Sequence, residues 1–105
     1  FPLEQGASSG YPDLATLAPG RAVVVQRYSK DQLQQIAYGV ANVAADSWEK
    51  LGNANTLAAW GQYSPSVAAL TGGGFVVVWL GSLPNSNVSL VFAQRFDKDG
   101  NKVYK

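Results

Sequence analysis

The apolar residues of this chain fall in short runs rather than at helical spacing. Positions 75–80 (Phe-Val-Val-Val-Trp-Leu) are apolar throughout, as in a strand buried on both faces. Positions 66–70 put Val67 and Ala69 on one face and Ala68 and Leu70 on the other. Positions 88–96 predict a third strand, with Phe92, Gln94 and Phe96 on one side and Ala93 and Arg95 on the other. A short fourth strand follows at 102–104. Between these runs stand a glycine turn (71–74), a loop holding Pro84, Asn85 and Asn87, and the turn Asp97-Lys-Asp-Gly-Asn101. The same succession occurs earlier, as strands over 13–17, 22–27, 35–43 and 48–51 with a turn at 18–20. At 29–35 two readings stand. The helix formers around Asp31 favour a helical turn, and the alternation of Ile36, Tyr38 and Val40 favours a strand.

The two halves are copies of one unit. Positions 11–26 lie over 64–79 at a constant offset of 53 without gaps. Pro12 meets Pro65, Leu17 meets Leu70, Gly20 meets Gly73, and Val23, Val24 and Val25 meet Val76, Val77 and Val78. Carried further, the same offset sets Val43 on Phe96 and Asp46 on Asp99. The expected organisation is all-β: a single domain over 1–105 made of two tandem four-stranded antiparallel repeats, at about 11–52 and 64–104. The connector at 53–63 is small and polar, as suits a surface crossing. A unit of about 50 residues with four antiparallel strands has the form of a β-propeller blade, and two blades do not close a ring. Three outcomes follow: completion by oligomerisation, excision from a longer array, or two sheets facing each other as a small sandwich. The sandwich ranks lowest, because it leaves an apolar face of the valine strand wet.

Composition narrows the function classes. Of 105 residues, 47% are hydrophobic and 14% charged, which is globular rather than disordered. The net charge of +1 argues against nucleic acid as a partner. Cys and His are absent, so disulfides, Cys/His metal sites, thiol nucleophiles and imidazole acid–base schemes are excluded. No run approaches the roughly 20 apolar residues of a membrane span. The chain lacks methionine and begins Phe1-Pro2-Leu3, so the expectation is a processed, secreted or cell-surface protein or a piece of a longer one.

The segments 65–79 and 91–103 (Val-Phe-Ala-Gln-Arg-Phe-Asp-Lys-Asp-Gly-Asn-Lys-Val) resemble the repeats, about 50 residues long, of large bacterial exported proteins, the adhesins and RTX-type proteins. The second unit matches nearly end to end. The first matches through its proline, glycine and triple-valine framework and has Gln26 in place of Trp79. The resemblance implies export, a propeller-like β fold and a binding or structural role. It implies no chemistry.

Candidate binding residues are those suited to sugar stacking and amide contacts: Trp60 and Tyr63 in the connector, Trp48 after a turn, Arg27 and Tyr28 at a strand end, and Asn85 and Asn87 in the long loop. Trp79 is in phase with Phe75 and Val77 and reads as core. Asp97, Asp99 and Asn101 alternate like the ligands of a calcium loop. A twelfth-position glutamate would fall beyond Lys105, so a hairpin turn is favoured and no cofactor is expected. Arg95 is expected to pair with Asp97. No carboxylate pair is evident for hydrolysis, and no enzyme is expected. The reading is a lectin-like, exported binding module for carbohydrate or another cell-surface ligand, multivalent as a homo-oligomer. The alternative is a structural or protein-interaction repeat of an adhesin, or an inhibitor that docks on a protein.

Overall fold

The computed structural model describes residues 8–9, 12–30, 33–55, 62–82 and 88–104, and these form strands, turns and no helix. The strands are β1 (Ser8–Ser9), β2 (Asp13–Ala18), β3 (Arg21–Lys30), β4 (Leu33–Asn42), β5 (Ser47–Asn53), β6 (Tyr63–Ala69), β7 (Phe75–Ser82), β8 (Ser89–Phe96) and β9 (Lys102–Val103). Strands β2 to β5 make one antiparallel meander, and β1 pairs with β3 beyond the end of β2. Strands β6 to β9 make the second. The eight expected strands are present, and β1 is additional. The 29–35 alternative resolves as strand at its described residues, 29–30 and 33–35, because the β3–β4 ladder continues to the pair Lys30 and Leu33; positions 31–32 lie outside the described residues. No described helix is long and apolar enough to cross a membrane.

The sheets face each other across one core. From the first come Val23, Val25, Ile36, Tyr38 and Val40, and from the second Val67, Phe75, Val77, Trp79 and Phe96. Phe75 and Phe96 stack at 4.7 Å between ring centres, and the Tyr38 ring tilts onto Phe96 at 4.5 Å. Each large side chain taken fully from water contributes roughly 1.5–3 kcal/mol, so this layer dominates the fold. Strand β7 corrects the sequence expectation. It is buried at Phe75, Val77, Trp79 and Gly81 and only half-buried at Val76, Val78, Leu80 and Ser82. One face of its all-apolar run meets the first sheet, and the other remains partly open.

The registers also correct the offset. Val25 pairs with Tyr38, and Val78 pairs with Ala93. Val78 matches Val25 at 53, whereas Ala93 matches Tyr38 at 55, so the β7–β8 connection is two residues longer. Phe96, paired with Phe75, is the counterpart of Ala41, paired with Ala22, and not of Val43. An even difference preserves face parity. Val23, Val25 and Tyr38 of the first sheet face the core, while their counterparts Val76, Val78 and Ala93 lie on the outer face of the second. The two sheets therefore pack through non-equivalent faces.

The described ends of the connector are not a simple surface crossing. Ala54, Asn55 and Gln62 are buried. The Ala54 amide donates to the Ile36 carbonyl (2.7 Å), and the Ile36 amide donates to Asn55 Oδ1 (2.8 Å). These bonds carry the β4 edge past the end of β5. The positions between, 56–61, lie outside the described residues.

Candidate functional site

Opposite the hairpin turns, the strand ends gather polar and aromatic groups. Tyr28 lies near the end of β3 and is buried, its hydroxyl donating to Asn53 Oδ1 (3.1 Å). Arg27 is half-buried beside it, paired with Ile36 across the ladder. On the second sheet, the Tyr63 and Ser89 hydroxyls are 2.6 Å apart at the same end. Gln62 joins the two sheets there. Its Nε2 donates to the Gln34 carbonyl (2.9 Å), and its Oε1 accepts from Trp79 Nε1 (3.0 Å). Trp79 is core, as its phase predicts, and Phe92 stacks on it at 6.0 Å.

The expected binding residues thus divide. Arg27, Tyr28 and Tyr63 lie at the same end of the strands but on different faces: Arg27 on the core face of the first sheet, Tyr28 on its outer face and Tyr63 on the outer face of the second. Trp48 does not join them. It pairs with Ala41 near the turn end of β5, on the outer face of the first sheet, and is half-buried. Trp60, Asn85 and Asn87 lie outside the described residues. Tyr28 is held by Asn53 and buried, which limits it to shaping the site rather than stacking on a ligand. Gln62 and Asn53 were not expected from sequence. A polar residue flanking a strand is ordinary in a sequence, and only the partner across the sheets gives either one significance.

The turn 97–101 has its own chemistry. Asp97 Oδ1 accepts from the Asp99 amide (2.9 Å) and the Asn101 amide (3.0 Å), as an Asx turn does. The carboxylate serves its own backbone, and the expected pair with Arg95 does not form. Arg95 lies exposed on the outer face of the second sheet, and the ion pair of the described residues joins Arg21 Nε to Glu49 Oε1 (2.8 Å). No three carboxylates converge among the described residues. The Asn101 amide first, then those of Asp99 and Gly100, hold the Asp97 carboxyl below its ordinary value, with Lys50 adding to the effect. A depressed carboxyl pKa stabilises the fold above the unfolded value and loses that contribution as pH falls through the folded one. On acidification below about pH 4, the Asp99 and Asn101 amide resonances are expected to move together as the turn loosens. Asp97→Asn keeps the acceptor and should abolish the titration. Unchanged titration in that variant would assign it to another group.

Tyr38 closes the turn from beneath. Its hydroxyl donates to the Gly100 carbonyl (2.7 Å). Burial first, then the negative charge of Asp97 and the proximity of Tyr104, raise its pKa above the usual tyrosine value. The phenol is held neutral, as a donor to a carbonyl requires.

An open groove of about 560 Å³ lies on the outer side of the second sheet at the turn end, lined by Leu70, Thr71, Arg95, Lys98 and Val103 among others. Its lining comes from separate stretches of the chain that no local sequence pattern brings together.

No family model, curated protein or solved structure matches the chain.

Proposed function

We propose that the chain is a non-catalytic binding module of the exported or cell-surface kind, in which the two sheets are propeller-like blades and several copies present a multivalent surface to carbohydrate. The observation that supports this reading most is the Tyr63–Ser89 hydroxyl pair on the outer face of the second sheet, at the strand end where Gln62 bonds Trp79 and where Arg27 ends the core face of the first sheet. Guanidinium and hydroxyl groups beside aromatic rings are what a sugar needs, its hydroxyls on the polar groups and its apolar face on a ring. The packing of the sheets through non-equivalent faces supports the blade reading, since blades stack in one sense around a ring. Repetition of a weak site raises avidity without a deep pocket.

The experiment is a glycan array with the intact chain, followed by titration of the strongest hit against Arg27→Ala and Tyr63→Phe. Each variant is expected to weaken binding about tenfold or more, roughly 1.4 kcal/mol. A blank array, or a hit indifferent to both substitutions, would reject carbohydrate binding at this end.

A further inference from the structure

The first sheet provides a seat for a turn of the second. The turn 97–101 rests on it with Gly100 against Val40 and Lys50, so close that a Cβ on Gly100 would lie 3.0 Å from the Lys50 side chain and 3.2 Å from that of Val40. The Gly100 carbonyl takes the Tyr38 hydroxyl, and Arg21 Nη2 donates to the Lys98 carbonyl (2.5 Å). Leu17 packs against the core on the adjoining strand.

The second sheet carries a partly matching seat on its outer face, with Ala93 and Gly74 at the counterparts of Tyr38 and Arg21. Leu70 stands at the counterpart of Leu17, Arg95 at that of Val40, and Val103, paired with Arg95, at that of Lys50, paired with Val40. These three residues line the open groove. The turn that corresponds to 97–101 is 43–46. The Asp46 amide donates to the Val43 carbonyl (3.2 Å) as the Gly100 amide donates to the Asp97 carbonyl (3.1 Å). Asp46 and Gly100 share the left-handed backbone, with φ of 56° and 84°. Asp46 is exposed.

We propose that the groove beside Arg95 is the docking site for turn 43–46 of a second copy of this chain, with Asp46 of that copy paired to Arg95. This rests on the blade reading given above and specifies the contact that joins the copies. Three observations carry it. The seat is already used once, within the chain, by the equivalent turn. The substitutions at the open seat are complementary in charge: where Gly100 meets Val40, an acidic Asp46 would meet a basic Arg95. The faces that flank the contact are apolar and open, with Leu14, Leu51 and Val24 on the outer side of the first sheet and Val76, Val78 and Val91 on that of the second. Inside the molecule, Tyr38, Phe75 and Phe96 fill the inter-sheet space. Their counterparts Ala93, Ala22 and Ala41 are small, and Trp48, beside Ala41, is the large side chain that takes their place. The contact is heterologous, so it recurs from copy to copy and ends only by closing a ring.

The test is the solution mass by light scattering of the wild-type chain, Arg95→Glu, Asp46→Lys and the double variant, with circular dichroism as the control for folding. The wild type is expected at a multiple of its 11.1 kDa. Each single reversal sets like charges together across the contact and should drop the mass to one chain, and the double variant should restore it. Asp46→Asn tolerates the left-handed backbone and removes the charge, so it serves if Asp46→Lys is unfolded; it too should weaken assembly. An assembled wild type indifferent to Arg95→Glu and Asp46→Asn would overturn this contact and leave the blade reading standing. A monomeric wild type would overturn the contact and self-assembly together. Either result leaves the glycan experiment to judge sugar binding by itself.

Discussion

Phe96→Ala is expected to destabilise the fold by about 3–5 kcal/mol, the range for truncating a fully buried phenylalanine. Phe96 is 1% exposed, stacked on Phe75 and under the Tyr38 ring. The loss is a large share of the roughly 5–15 kcal/mol that holds a domain of this size folded. At about 4–8 °C per kcal/mol, the melting temperature should fall by roughly 12–40 °C. Phe92→Ala is the internal comparison. Phe92 also stacks on an aromatic ring, at 6.0 Å from Trp79, but is 39% exposed at the margin of the core. Its truncation is expected to cost about 1 kcal/mol. Urea denaturation of both variants checks the pair. Equal losses would mean that the inter-sheet layer is not the principal core.

The contrast between these two phenylalanines marks how far the sequence could be read. Alternation set Phe92 and Phe96 on one face of β8, and that is their register. Alternation states which residues share a face, and it does not state how far a partner sheet extends over that face. The same limit explains β7. An all-apolar strand was expected to be covered on both sides, but only the side of Phe75, Val77 and Trp79 meets another sheet. Strand positions were legible because glycine and Asp/Asn turns punctuate them. The offset was legible over the first hairpin of each unit, where the connecting turns are equal in length. It slipped by two over the second hairpin, where one connection is longer. The candidate site was less legible. Arg27 and Tyr63 are brought to one end, yet nothing local indicates that Asn53 would hold Tyr28 or that Asp97 would turn onto its own backbone instead of toward Arg95. Such bonds depend on which strand lies opposite, which periodicity leaves open.

Gln62 is the strongest case of a residue whose weight comes from its partners, and Gln62→Ala is expected to cost about 2–4 kcal/mol. The amide links the two sheets at the end away from the turns, accepting from Trp79 Nε1 and donating to the Gln34 carbonyl. Its removal leaves the Trp79 N–H without that acceptor, and an unsatisfied buried group costs about 1–3 kcal/mol. It also removes the tie that keeps β4 against β7. Trp79→Phe removes the opposite partner of the same bond. If the bond is the source of the effect, the two losses should be less than additive, with a coupling of about 1 kcal/mol or more in a double-mutant cycle by urea denaturation. Strict additivity would mean that Gln62 acts only by filling space. The cycle also bears on the binding end. A tie that orients the sheets should, when cut, disturb Tyr63, the next residue along the chain, and weaken any ligand held there, whereas Phe96→Ala should lower stability with little local effect at that end.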